Sequence, residues 1–101
     1  MEYKMTYDIH KVTIYGKEQC PYCVKAKNLA ERMGHNYTYL QLGLDFEFPE
    51  FMDKFPSART FPQITIVEME NEGHPVFEIG KEKSIGGYTE YELRCNEEAK
   101  T

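Results

Sequence analysis

Four residues constrain this chain more than any others: Cys20-Pro21-Tyr22-Cys23. They follow an apolar run with strand character, Val12 to Tyr15, and open a segment of helical periodicity, Cys23 to Met33. A C-x-x-C at a strand-to-helix junction in a small, cysteine-poor chain reads as a redox pair. The first turn of a helix has backbone N–H groups without intrahelical partners and carries the positive end of the helix dipole. A sulfur there is stabilised as thiolate, the nucleophile of disulfide exchange. Two intervening residues bring the second sulfur back within bonding distance of the first. Pro21 suits the first helical turn, where its missing N–H has no partner to lose. The competing readings are half of a zinc site or a pair of inert thiols. Zinc takes four ligands, normally from a second C-x-x-C or a paired His motif. Cys95, His10, His35 and His74 are scattered without ligand spacing, so the redox reading leads.

The 101 residues suit one domain, 1–101, with residues 1–10 as a short N-terminal arm. A hydrophobic content of 41%, with 14% aromatics, supports one modest core. Three cysteines do not make a disulfide framework, so a reducing, cytoplasmic setting is expected. Met1 to His10 mixes charged and aromatic residues without an apolar stretch and is not expected to be a signal peptide. No run approaches membrane-spanning length. A net charge of -5 argues against nonspecific nucleic-acid binding.

Lys11 to Tyr15 alternates β-branched residues and is expected to be a strand. The first helix is expected from Cys20 to Met33, with Cys23, Ala26, Leu29, Ala30 and Met33 on its apolar stripe and Gly34 past its end. Asn36 to Leu42 forms a second strand, parallel to the first across a right-handed crossover. After an acidic, aromatic loop, a short helix over Pro49 to Phe55 turns Phe51, Met52 and Phe55 inward as core. A third strand runs from Gln63 to Met69, with an antiparallel return over Pro75 to Ile79 after a polar turn, and Gly80 to Ser84 is a charged loop or that strand's tail. Thr89 and Glu92 form a T-x-x-E capping pattern, which places the last helix at Thr89 to Glu98.

Three pieces carry chemistry. Cys20, on the loop side of the helix end, is the expected nucleophile, and Cys23, one turn in, the resolving thiol. Lys17, three residues earlier, is expected to add positive charge near the thiolate or bind a carboxylate, the plainer alternative being a solvated surface residue. Thr60-Phe61-Pro62 precedes a strand. Were Phe61–Pro62 cis, the Phe61 backbone would offer its N–H and C=O to an extended peptide, although the residues alone favour an ordinary trans turn. Gly86-Gly87-Tyr88-Thr89-Glu90 couples two permissive glycines to a helix start, a combination that binds carboxylates or simply turns the chain.

Taken together, in this order and spacing, the stretches 16–27, Thr60-Phe61-Pro62-Gln63-Ile64 and Ile85-Gly86-Gly87-Tyr88-Thr89-Glu90 resemble a dithiol glutaredoxin over roughly residues 11 to 95. The resemblance implies an α/β, thioredoxin-like fold: a four-stranded mixed sheet flanked by three helices, with Pro62 cis. It implies glutathione as electron-donating co-substrate and no permanently bound cofactor or metal. Its substrates would be glutathione mixed disulfides and protein disulfides, that of ribonucleotide reductase among them, reduced by a monomer that needs neither nucleic acid nor membrane. By matching positions, Cys20 attacks and Cys23 resolves. Lys17 and Tyr22 line the glutathione groove, the Phe61 backbone pairs with the cysteinyl part beside Thr60 and Pro62, and Gly87, Tyr88, Thr89 and Glu90 hold the γ-glutamyl end.

The chain departs from the family pattern in four places. Phe61 stands where Val is usual, Glu90 replaces the usual Asp, the Val67–Ile85 hairpin is long, and Cys95 is additional. Cys95 is expected to pack as a small hydrophobe on the last helix. The implied reduction potential is roughly -200 to -230 mV. Two other functions compete. One is a binding module in which Cys20 and glutathione from two subunits hold an iron–sulfur cluster, against which Pro21 counts. The other is a protein fed by a thioredoxin reductase, against which the Gly-Gly-Tyr-Thr-Glu segment counts.

Overall fold

The computed structural model describes residues 9–70, 78–79 and 81–100. Among the described residues, five strands and three helices run in the order β1 (Ile9–Gly16), α1 (Pro21–Met33), β2 (Tyr37–Gln41), α2 (Phe48–Lys54), β3 (Gln63–Glu70), β4 (Glu78–Ile79), β5 (Lys83–Gly86) and α3 (Tyr88–Lys100). β1 lies parallel to β2, from Val12 opposite Tyr37 to Gly16 opposite Gln41. On its other edge β1 runs antiparallel to β3, which is antiparallel to β5. The mixed sheet of four strands, β2-β1-β3-β5, with three helices around it is a thioredoxin fold. The two-residue β4 only prolongs it, pairing with the far end of β3 at Met69 and Glu70.

Alternation along β1 decides the layering, since successive side chains point to opposite faces. Val12 and Ile14, with Ile64 and Ile66 of β3, meet Ala26, Leu29 and Ala30 of α1 and Tyr91 and Cys95 of α3. Tyr15 faces the other way and joins Phe46, Phe51 and Phe55 around α2. α1 and α3 therefore cover one face and α2 the other. The stripe anticipated on α1 is the buried one, with Cys23, Ala26, Leu29 and Ala30 at 2% exposure or less. Gly34 ends α1 in the left-handed region at φ 75°, where a side chain is disfavoured. Cys95 packs inside as a small buried residue.

Several elements differ from the sequence reading. α2 starts at Phe48, because Glu47 and Glu50 form a reciprocal capping box before it. α3 starts at Tyr88, so the Thr89/Glu92 cap does not form. Instead Glu90 Oε1 accepts the Gly87 N–H at 2.9 Å. The expected return strand Pro75–Ile79 is described only at 78–79, where it pairs as β4, its other residues lying outside the described ones. Lys83 to Gly86, taken up to Ser84 as loop or tail, form the edge strand β5.

His35, just past α1, bonds through Nδ1 to the hydroxyl of the fully buried Tyr91 at 2.6 Å, tying α1 to α3. Burial, and then the Arg94 guanidinium, hold the His35 imidazole below its ordinary value of 6.5. The unfolded chain therefore binds more protons than the folded one once pH falls below about 6.5, so stability is full above that pH and declines beneath it. The carboxyl of Glu82 is held low by hydrogen bonds from Thr65 and then Lys54, against burial. Its contribution is lost only below about 4.5. The melting temperature should accordingly fall between pH 7.5 and 5.5, and His35→Gln should flatten that slope. A slope left unchanged by the substitution would refute the assignment.

Candidate active site

Cys20 caps α1. Its backbone is extended, its carbonyl accepts the N–H groups of Cys23 (3.0 Å) and Val24 (3.2 Å), and Pro21 opens the helix. The loop reaches it through Gln19, whose φ of 55° turns the chain sharply before the helix starts. Cys20 and Cys23 are joined in a disulfide with Cα atoms 5.2 Å apart. The Cys23 N–H donates to Cys20 Sγ at 3.2 Å. That donor and the helix dipole face the sulfur and favour negative charge on it.

Cys20 retains 8% exposure and Cys23 none, which matches the assignment of outer and inner sulfur. The outer sulfur is nonetheless mostly covered, less open than its place on the loop side suggested. Gly16 lies beneath the pair. A Cβ there would press on the end of the Tyr39 side chain and come within 3.1 Å of Cys23 Sγ, so this strand end must be bare for the inner cysteine to fit.

A groove of about 840 Å³ gathers most of the predicted site residues: Tyr22, Thr60, Phe61, Pro62, Gly87, Tyr88, Thr89 and Glu90 all line it. One wall precedes β3, where Phe61–Pro62 is cis. The other is the β5–α3 junction. The walls approach so closely that a Cβ on Gly87 would stand 3.2 Å from the Pro62 carbonyl oxygen. Tyr22, 55% exposed, sets its ring 5.9 Å from that of Tyr88 and bridges the groove toward α1.

Cys20 and Lys17 do not line this groove. They line an adjoining cleft. Lys17 connects the two, its Nζ standing 5.6 Å over the Phe61 ring. Phe61 in turn stacks on buried Phe51 at 4.5 Å between centroids. Glu90 lines the groove, and its Oε1 accepts the Gly87 N–H at the start of its own helix.

Sequence reasoning missed the outer half of the groove, including Lys54, Arg59 and Ser84. Lys54 Nζ pairs with Glu82 Oε1 at 2.9 Å, and Thr65 donates to Glu82 Oε2 at 2.6 Å, which ties α2 to the sheet edge. No local pattern signals such residues, because distant segments bring them together. Among the described residues no three His, Cys, Asp or Glu side chains gather as a metal site, so the zinc reading finds no further ligands.

The glutaredoxin family model matches residues 12–69 of this chain. A glutaredoxin of Haemophilus influenzae is 33% identical over 94 residues, spanning 86% of this chain and 92% of its own. Glutaredoxin 1 of Salmonella typhimurium is 30% identical over 91 residues, spanning 83% of this chain and 88% of its own. The solved structure of reduced Escherichia coli glutaredoxin superposes with a TM-score of 0.63 at 26% identity, over 90% of this chain and 99% of that one.

Proposed function

The chain belongs to the glutaredoxin family, its Cys20–Cys23 pair being of the dithiol type, and from that premise we propose that it uses glutathione to reduce protein disulfides and glutathione mixed disulfides. Membership makes it a thiol–disulfide oxidoreductase. The finer reading is supported above all by one observation: the redox pair sits at the start of α1 beside a groove whose walls are Thr60–Pro62 and Gly87–Glu90.

Cys20 thiolate attacks a substrate disulfide, forming a mixed disulfide and releasing one substrate thiolate. Cys23 then attacks the Cys20 sulfur, forming the intramolecular disulfide and releasing the second thiolate. One glutathione thiolate opens that disulfide onto Cys20, and a second removes the first as oxidised glutathione, restoring the dithiol. In this reading the Phe61 backbone, with Thr60 and Pro62, aligns the cysteinyl part of glutathione. Lys17 and Tyr22 flank it, and Gly87, Tyr88, Thr89 and Glu90 hold its γ-glutamyl end.

The protein acts as a monomer of one domain with no permanently bound cofactor, and ribonucleotide reductase is among its substrates. A cytoplasmic, reducing setting accords with three cysteines of which two form the motif. Among the described residues no helix is long and apolar enough to cross a membrane.

Turnover of one protein disulfide, measured side by side with glutathione plus glutathione reductase and with a thioredoxin reductase, tests the donor. Glutathione should support the faster reaction by about tenfold or more, a difference of some 1.4 kcal/mol in barrier. Equal or faster turnover with the thioredoxin reductase would overturn the proposal.

A further inference from the structure

The groove does not take in Cys20, and apart from Cys20 and Lys17 the residues of the cleft beside it have no role in the proposed glutathione site. That cleft, of about 610 Å³, opens between the start of α1 and the end of β2. Cys20, 8% exposed, lines this cleft and does not line the groove. Its chemistry is mixed. Pro21 and Val24, the latter 53% exposed, supply apolar surface on the first turn of α1. Tyr39 and Gln41 supply hydrogen-bonding groups from β2.

Lys17 and Lys27, both exposed, supply cations from either side. The carboxylate lining the cleft is that of Glu18, which accepts a hydrogen bond from Gln41 Nε2 at 3.5 Å. The first turn of α1 carries no acidic residue, so the positive end of its dipole adds to the two lysines. This face is locally positive on a chain whose net charge is -5. Such a patch orients an approaching acidic partner toward it, while the remaining surface repels that partner.

We propose that this cleft seats the polypeptide flanking the reacting cysteine of a protein substrate, and that it selects flanks carrying Asp or Glu. The proposal rests on the oxidoreductase reading and adds its substrate preference. Cys20 thiolate attacks the substrate disulfide, the Cys20–substrate S–S bond forms, and the substrate's own S–S bond breaks with departure of one thiolate. The attached segment lies in the cleft while Cys23 attacks Cys20 from the helix side, closing the internal disulfide and releasing the segment as a thiol. The protein dithiol is oxidised and the substrate reduced. Glutathione then opens the Cys20–Cys23 disulfide once the reduced segment has left the cleft.

The test compares three disulfides in the glutathione-coupled reaction: two peptides differing only in flanks, Asp/Glu-rich against Lys-rich, and the small uncharged bis(2-hydroxyethyl) disulfide. The intact chain should prefer the acidic peptide in kcat/KM by about tenfold at low salt, with the preference shrinking as salt rises. Lys27→Glu should abolish or invert that preference while leaving turnover of the small disulfide within about twofold, which also shows that the variant folds. An unchanged preference in Lys27→Glu, or equal rates for the two peptides in the intact chain, overturns the cleft assignment with the oxidoreductase reading intact. Failure of the intact chain to turn over the small disulfide overturns the oxidoreductase reading, and the cleft assignment with it.

Discussion

Cys20→Ser should lower turnover of every disulfide substrate by roughly a thousandfold or more, since it removes the proposed nucleophile. Cys23→Ser should separate the two half-reactions. It should retain reduction of glutathione mixed disulfides, because in the proposed cycle glutathione resolves the Cys20 adduct directly. It loses the dithiol route to protein disulfides, and a protein–Cys20 mixed disulfide accumulates that gel electrophoresis without reductant detects. The asymmetry follows from position. Cys20 is the helix cap, keeps 8% exposure and takes the N–H of Cys23 onto its sulfur. Cys23 is fully enclosed above Gly16 and reaches the Cys20 sulfur, which it attacks once that sulfur carries a substrate. A hydroxyl in place of the enclosed Cys23 carries its own burial cost, so Cys23→Ala serves as companion. Full activity in Cys20→Ser, or loss of mixed-disulfide reduction in folded Cys23→Ser and Cys23→Ala alike, would overturn these roles.

Tyr91→Ala should destabilise the fold by about 3–5 kcal/mol. The Tyr91 ring has no exposed surface and packs with Val12, Ile14, Leu29 and Ile66 where α3 meets α1 and the sheet. Its removal leaves a cavity that a rigid strand pair cannot close, and it breaks the bond to His35. A domain of this size holds only about 5–15 kcal/mol in all, so much of the population unfolds near physiological temperature. Thermal melting should fall by on the order of 15 °C or more. Tyr91→Phe keeps the ring and loses only the hydroxyl contact, a cost of about 1 kcal/mol. A Tyr91→Ala protein melting within a few degrees of the unsubstituted one would refute the packing argument.

The Cys20-Pro21-Tyr22-Cys23 run, the apolar stripe of α1, the Gly34 stop and the first two strands were legible in the chain, because each rests on contacts a few residues apart. Boundaries failed where a local signal had two solutions. Thr89 and Glu92 made one capping pattern at α3, but Gly87 and Glu90 made the other, and the turn out of β5 placed the helix start one residue earlier. At α2 the Glu47–Glu50 pair was overlooked because Pro49 offered a simpler start. β5 was hidden for a different reason. Lys83 and Ser84 are exposed and carry no apolar alternation, and only pairing with β3 makes them a strand.

Local spacing and helix-end physics alone established that this chain holds two sulfurs at a helix start and which of them is outermost. Tertiary structure decided what those sulfurs face. It brought the Thr60–Pro62 and Gly87–Glu90 segments together as the walls of one groove, set Lys17 over Phe61 and opened a second, positive cleft beside Cys20. The division has a physical cause: a helix dipole and a hydrogen-bonded turn act over a few residues of chain. A groove wall exists only once segments tens of residues apart are held by a common core.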